Sequence, residues 1–141
     1  MAGILYFDFR NDKVALAAVA KKASRWIELP AGTPTGRAVD AALRRLGFRA
    51  KHPSCVTVAA GGAREKRNVS WSTVRAGVAA ANALAFAWNV GVSDILIDGD
   101  ETHEALEAKI RAACAGMKPG EGWASALYSG EPTITKAKPI M

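Results

Sequence analysis

Residues 3–29 read GILYFDFRNDKVALAAVAKKASRWIEL, and this stretch decides the class of fold. It contains three mainly apolar runs, over 3–9, 14–20 and 24–29, separated by the turn signals Asn11-Asp12 and Lys21-Lys22. Apolar runs of this length between short polar turns are typical of strands. Because turns this short join antiparallel neighbours, the stretch predicts a three-stranded antiparallel meander.

The apolar residues change period after Pro30. From residue 36 they recur at i, i+3, i+4 and i+7, the spacing of one helical face, in Val39, Ala42, Leu43 and Leu46. The pattern predicts a helix over 36–46 that ends at Gly47. We then expect a strand over 55–60, a helix over 71–89 with Ser70 or Ser72 as N-cap, a strand over 94–98, and a helix between Thr102 and Gly116.

The predicted order is therefore βββαβαβα. Helical crossovers join parallel strands, so the sheet is expected to be mixed, with three antiparallel strands followed by parallel ones. A mixed five-stranded α/β sheet with helices on its faces is the order of ribonuclease H-like and actin-like ATPase (ASKHA) domains. We expect one such domain over 1–120, followed over 121–141 by a short strand at Trp123 to Tyr128 and an extended tail.

Composition excludes several classes of protein. The chain has 141 residues, half of them apolar and 29 of them alanine, which is enough for the core of one domain and excludes disorder. The longest charge-free stretch, 76–93, is Ala-rich and interrupted by Asn82 and Asn89, so no membrane span is predicted. The first ten residues lack a basic start and reach Asp8 early, unlike a signal peptide. We therefore expect a soluble, cytoplasmic protein.

The formal charge of +6 is spread unevenly. Residues 1–75 hold 14 basic and 5 acidic side chains, a balance of +9, whereas residues 76–120 hold 3 and 6, a balance of −3. A basic half can meet an acidic protein or a nucleic acid, or can be a solvated surface. The loop with Arg64, Lys66 and Arg67 is the candidate anion contact, with a solvated loop as the alternative.

The predicted helix over 71–89 contains no charge beyond Arg75. A helix that is apolar all round has to be covered on both sides, and in a small domain the sheet covers only one. The second side therefore needs another helix or a partner protein. Arg75 lies near the helix N-terminus, where a cation is disfavoured, so a nearby structural partner or an anion from another molecule is expected.

Candidate catalytic and metal-binding residues are few. Asp8 ends the first strand and Asp98 ends a later one, so a ribonuclease H-like, metal-dependent nuclease or nucleic-acid-binding domain using both is the alternative function. Two carboxylates are fewer than a two-metal nuclease needs. Cys55 and Cys114 are expected to be reduced core residues, and with His52 and His103 they show no metal-ligand spacing. We predict no catalytic residue, no metal and no cofactor.

Three segments carry a family resemblance. They are LRRLGF from Leu43, VTVAAGG from Val56, and SWSTVRAGVAAANALA from Ser70. This order resembles the TsaB (YeaZ) family, whose signature is a glycine-rich turn, a Ser-aromatic-(Thr/Ser)-(Gly/Ser)-Leu-Arg-x-Gly segment and a small-residue helix. The tail YSGEPTITKAKP from Tyr128 is also similar. Thr73 departs from the signature, and the second lobe of the family is reduced here to about 25 residues, 101–123.

The resemblance implies a noncatalytic partner subunit. TsaB proteins pair with the enzyme TsaD, or with themselves, in making threonylcarbamoyladenosine (t6A) in tRNA. The implied partner is thus a TsaD-type protein, a second copy or both. Indirect association with tRNA is a further expectation from the resemblance, and the loop with Arg64, Lys66 and Arg67 is then a candidate tRNA contact. The contact helices match 36–46 and 71–89, and the interface residues implied are Val39, Leu43, Leu46, Trp71, Val74, Arg75, Gly77, Val78, Ala81, Leu84, Ala85 and Trp88. A self-associating domain outside this pathway is a third possibility.

Overall fold

The three-stranded meander predicted over residues 3–29 is confirmed in a computed structural model of the chain, which describes residues 3–10, 14–61, 71–97 and 101–125. The strands in these residues form one sheet: β1 Ile4–Asp8, β2 Val14–Val19, β3 Ser24–Leu29, β4 Cys55–Gly61 and β5 Gly91–Leu96. Their spatial order is β3-β2-β1-β4-β5. β1 pairs antiparallel with β2 and parallel with β4, so the sheet is mixed as expected.

Helices cover both faces of the sheet. They are α1 Thr35–Arg45, α2 Trp71–Trp88 and α3 His103–Cys114. Alternate residues of β1 point to opposite faces, so Leu5 and Phe7 join the core under α1 and α2 while Tyr6 joins the core under α3. The result is a three-layer α/β domain with two helices on one face and one on the other.

Local signals set two of the helix ends as the sequence predicts. The Thr102 side chain accepts a hydrogen bond from the backbone N–H of Ala105 at 3.1 Å, which caps α3. Gly47 follows α1 with a φ of +82°, a conformation that glycine adopts without steric cost.

Two predicted strands differ from the structure. β5 begins at Gly91, three residues before the predicted start, because Asn89 adopts a φ of +56° immediately after α2 and turns the chain into the sheet. The predicted strand at Trp123 to Tyr128 is not formed in its described part, 123–125, and residues 126–128 lie outside the described residues.

The expectation of two reduced cysteines is wrong for this structure. Cys55 and Cys114 form a disulfide with their Cα atoms 6.2 Å apart, inside the range that a disulfide spans. Cys55 is the first residue of β4 and Cys114 the last of α3, and 59 residues of sequence separate them. Their meeting follows from how α3 crosses the sheet, which neither local pattern shows.

The structure also bears on the membrane prediction. Within the described ranges, none of the helices has both the length and the hydropathy needed to cross a membrane.

Candidate protein-interaction site

Helix α2 is the most apolar element of the molecule, and it forms because small, unbranched side chains dominate it. Seven of its 18 residues are alanine, the best helix former. At its C-terminus the N–H of Val90 donates to the carbonyl of Ala85 at 3.0 Å, and Asn89 breaks the helix. α2 packs across β4 and β5, between α1 and the end of the described chain.

The inner face of α2, which we define as Val74, Gly77, Val78, Ala81 and Ala85, lies in the core. These residues recur at helical spacing and contact the face of the sheet that carries Phe7 and Val58. Gly77 permits the close approach, because a Cβ atom at this position would overlap the ring of Phe9. The residues of the inner face therefore stabilise the fold of this chain.

The outer face of α2 is exposed and nearly free of charge. We define it as Arg75, Ala76, Ala79, Ala83, Phe86 and Ala87, all of which are exposed. The side chain of Phe86 is 87 % exposed, the largest exposure among the big apolar residues of the described chain. Isolated exposed apolar residues are common, but an aromatic side chain on a continuous alanine stripe is typical of a contact surface.

Helix α1 borders this surface. Val39 and Leu43 of α1 are half-buried against the same core cluster as Leu84 and Trp88 of α2, and Leu46 at the C-cap is buried. The opposite side of α1 is charged, with an ion pair of 3.0 Å between Arg44 Nε and Asp40 Oδ1. The apolar stripe of α2 is thus flanked by a polar helix face, the arrangement of an interface centre and its rim.

The structure divides the implied interface residues into groups. Five of them form the inner face of α2, and in this chain they pack on its own sheet. Val39, Leu43, Leu84 and Trp88 are half-buried between the helices, and only Arg75 belongs to the outer face. Trp71 is the first residue of α2, where the structure describes the backbone alone. The interface itself stays a prediction.

Sequence reasoning missed most of the outer face. Arg75 could have indicated this face, because it is the single charged residue of the helix and a charged side chain lies on the solvent side. Positions four, eight and eleven residues after Arg75 share its side of a helix, and they are Ala79, Ala83 and Phe86. Arg75 is exposed, and the described residues offer it no hydrogen bond or ion pair.

A C-terminal segment, residues 121–125, is attached beside the outer face. The side chain of Asn82 donates to the carbonyl of Ala124 at 3.0 Å and accepts from its N–H at 2.9 Å. The segment also accepts a hydrogen bond of 3.1 Å from the N–H of Val92 through the carbonyl of Glu121. Trp123, the residue before Ala124, is held there 73 % exposed.

Asp8, the carboxylate of the nuclease alternative, is buried in an ion pair. Its Oδ1 accepts from the backbone N–H of Arg10 at 2.9 Å and from Nε at 3.0 Å, and Oδ2 accepts from Nη2 at 3.1 Å. The hydroxyl of Tyr6 donates to Oδ2 at 3.3 Å. Such a fork uses the carboxylate lone pairs that a metal ion would need.

Burial raises the pKa of the Tyr6 hydroxyl well above its ordinary value, and the negative charge of Asp8 adds to the shift. Tyr6 is therefore a neutral hydrogen-bond donor to Asp8 at physiological pH. Among the described residues, no three His, Cys, Asp or Glu side chains are placed to hold a metal ion. Asp98 and the basic loop with Arg64, Lys66 and Arg67 lie outside the described residues.

Comparison with known proteins finds a likeness of fold. A structure described as an uncharacterized protein with similarity to the peptidase YeaZ from Pseudomonas aeruginosa superposes with a TM-score of 0.54 and 15 % identity, covering 68 % of this chain and 44 % of that one. YeaZ from Pseudomonas aeruginosa gives a TM-score of 0.53 and 14 % identity, covering 67 % and 45 %.

These two structures support an actin-like, ribonuclease H-like fold of the YeaZ type. No protein-family model and no curated protein matches the sequence. The chain spans less than half the length of each of these two structures.

Proposed function

We propose that this chain is a noncatalytic binding subunit that docks by a helix-to-helix contact on a TsaD-type enzyme and supports t6A modification of tRNA. The observation that carries the proposal is the outer face of α2, where Phe86 lies 87 % exposed on a stripe of alanines. The YeaZ-like fold supports the choice of partner.

The chemistry of the surface favours a helix as the contacting element. Alanine side chains let a second helix approach closely, and close approach increases the number of van der Waals contacts. Phe86 projects from this low surface, and aromatic side chains at the centre of an interface commonly contribute most of its binding free energy. Arg75 at the N-terminal end of the same face can meet a carboxylate of the partner.

The nuclease alternative is less well supported. Asp8 is bound by Arg10 and Tyr6, and removing a buried carboxylate from its guanidinium to bind a metal ion leaves an uncompensated charge. We therefore assign Asp8 a structural role at the end of β1.

The proposal is tested in a reconstituted modification reaction with the TsaD-type enzyme of the same organism, unmodified tRNA and an activated threonylcarbamoyl donor. The t6A content of the tRNA is measured by nucleoside chromatography. We expect t6A to depend on this chain and to fall at least tenfold with Phe86→Asp.

The matched control is Ala108→Asp, which places the same charge at an exposed position of α3 on the opposite face of the sheet. This variant is expected to support modification like the wild type. Modification that proceeds equally without the chain, or equally with Phe86→Asp, would overturn the proposal.

A further inference from the structure

Two segments that are distant in sequence meet at one end of the domain. One is residues 20–25, the β2–β3 turn with the start of β3, and the other is residues 44–51, the end of α1 with the loop that follows. Each contributes residues to the lining of a cleft of about 350 Å³ beside Gly3. The cleft residues include Gly3, Ala20, Ala23, Leu46 and Phe48. We call this feature the basic cleft, because of the charges described next.

The two segments contain seven cationic side chains and no acidic one. All seven are exposed: Lys21, Lys22, Arg25, Arg44, Arg45, Arg49 and Lys51. Their summed charge exceeds the formal net charge of +6 of the whole chain. Arg25 and Lys51 line the cleft itself, and the other five cations lie on the two segments that contribute to its lining.

Few of these charges are neutralised within the described residues. Arg44 pairs with Asp40, and Arg25 donates through Nη2 to the carbonyl of Arg45 at 2.7 Å, which places its charge at the negative end of the α1 dipole. The other five form no ion pair within the described ranges. Like charges held this close repel one another, so an anionic partner is favoured there.

The backbone that carries the charges is held in place. The N–H of Ala20 donates to the carbonyl of Ala23 at 3.0 Å, which closes the turn around Lys21 and Lys22. From the other face of the sheet, Arg111 donates to the carbonyl of Ala20 through Nε at 3.1 Å and Nη2 at 2.7 Å. The cations therefore project from a fixed scaffold, which lowers the entropic cost of binding.

We infer that the basic cleft binds RNA, with phosphates of the backbone on the cationic rim and a base or ribose on the apolar floor. Cations without carboxylate partners suit the repeating charge of a phosphate backbone. The volume of the cleft lies within the roughly 300–1,000 Å³ of small-ligand pockets, and unstacked bases of RNA loops are commonly held in such sites. The inference rests on the proposed function and gives the chain a direct contact with the tRNA.

The test uses the isolated wild-type chain and a fluorescein-labelled RNA hairpin with an unpaired loop, measured by fluorescence anisotropy at about 50 and 200 mM KCl. We expect binding that weakens steeply with salt. Lys22→Glu and Lys51→Glu should each weaken binding about fivefold or more and make the salt dependence shallower by about one phosphate contact.

Arg37→Glu is the matched control, because it makes the same charge change at an exposed position at the opposite end of α1. It should stay within about twofold of wild type. Equal losses of RNA affinity in all three variants would show a general charge effect and overturn the proposed site. The absence of RNA binding by the wild-type chain would also overturn it. Tighter binding of polyglutamate than of RNA would assign the cleft to an acidic protein and also overturn it.

The result is separable from that of the proposed function because no second protein is present. RNA binding that is lost in the cleft variants while Phe86→Asp retains it supports the cleft whatever the state of the complex. A chain that associates with the TsaD-type enzyme but does not bind RNA overturns the cleft alone.

Discussion

Helices α2 and α3 lie on opposite faces of the same sheet and are held there by different forces. α3 is attached by specific polar and covalent links: Glu107 accepts from the indole N–H of Trp26 at 2.7 Å, Lys109 donates to the carbonyl of Leu96 at 2.9 Å, and Cys114 is bonded to Cys55. α2 is attached mainly by apolar packing of its inner face, with Asn82 as its buried polar residue.

The two helices also differ on the side that faces away from the sheet. α3 presents Glu104 in its first turn and then Ala105, Ala108 and Ala112, and no large apolar side chain of this helix is exposed. α2 presents alanines and Phe86, which gain nothing from water. The difference between the two outward surfaces is therefore Phe86, the residue on which the proposed interface depends.

The largest expected effect on stability is a difference between the inner and the outer face of α2. Ala81 is fully buried, so Ala81→Asp places a charge in the core and should lower the free energy of unfolding by about 4 kcal/mol or more. Ala83→Asp, two residues later on the outer face, should lower it by only about 1 kcal/mol, chiefly because Asp is a poorer helix former than Ala. Urea unfolding followed by circular dichroism measures both, and similar losses would erase the distinction between the faces.

The next effect concerns the covalent link of α3. A disulfide that closes a loop of this length stabilises by about 4 kcal/mol in the chain-entropy model, since it restricts the unfolded state. The variant Cys55→Ala/Cys114→Ala should lose a comparable amount, and hydrogen exchange should accelerate in α3 more than in α2. Rapid alkylation of both cysteines in the native, unreduced protein would show free thiols and contradict the link.

A smaller effect is expected at Asn82, the polar attachment of α2. Asn82→Ala removes both hydrogen bonds to Ala124 and leaves its buried backbone groups without partners, at a cost of about 2–3 kcal/mol. Hydrogen exchange should accelerate at the Ala124 amide. Asn82→Asp keeps the acceptor for that amide and should retain part of its protection, whereas unchanged exchange in both variants would contradict the attachment.

The smallest effect on stability is expected at alkaline pH and concerns Tyr6, which lies in the core under α3. The pKa of Tyr6 is raised above its ordinary value of 10.0, so the unfolded chain releases this proton at lower pH than the folded one. Stability from this group is present below pH 10 and falls by up to about 1.4 kcal/mol per pH unit above it, until the folded-state pKa is reached. Tyr6→Phe should flatten this slope in urea unfolding; the same slope in both proteins would contradict the shift.

Local patterns predict much of the fold. The short turns after Asp8 and Val19 determine the meander, and the i, i+3, i+4 spacing places α1. Thr102 caps α3 as expected, because the hydroxyl and the amide it accepts from are three residues apart. Each of these features depends on neighbours in sequence.

Features that depend on tertiary contact could not be read in this way. The disulfide joins residues 59 positions apart, and the cations of the basic cleft come from two segments about 20 residues apart. For α2, uniform apolarity predicts that both sides are buried or bound, but it does not indicate which residues face the sheet. Only Arg75 marks the solvent side. The sequence therefore identifies the helix, but not which of its residues face the sheet and which face solvent.

The outer face of α2 as a protein interface is the central claim, and sedimentation velocity tests it most directly. Wild-type chain, Phe86→Asp and Ala108→Asp are each mixed with the TsaD-type enzyme, and each chain is also run alone to detect self-association through the same face. Because Phe86 is exposed, its substitution should leave folding unchanged. We predict a complex with the wild type and Ala108→Asp, and a dissociation constant raised at least tenfold for Phe86→Asp; equal binding by all three chains, or by none, would contradict the claim.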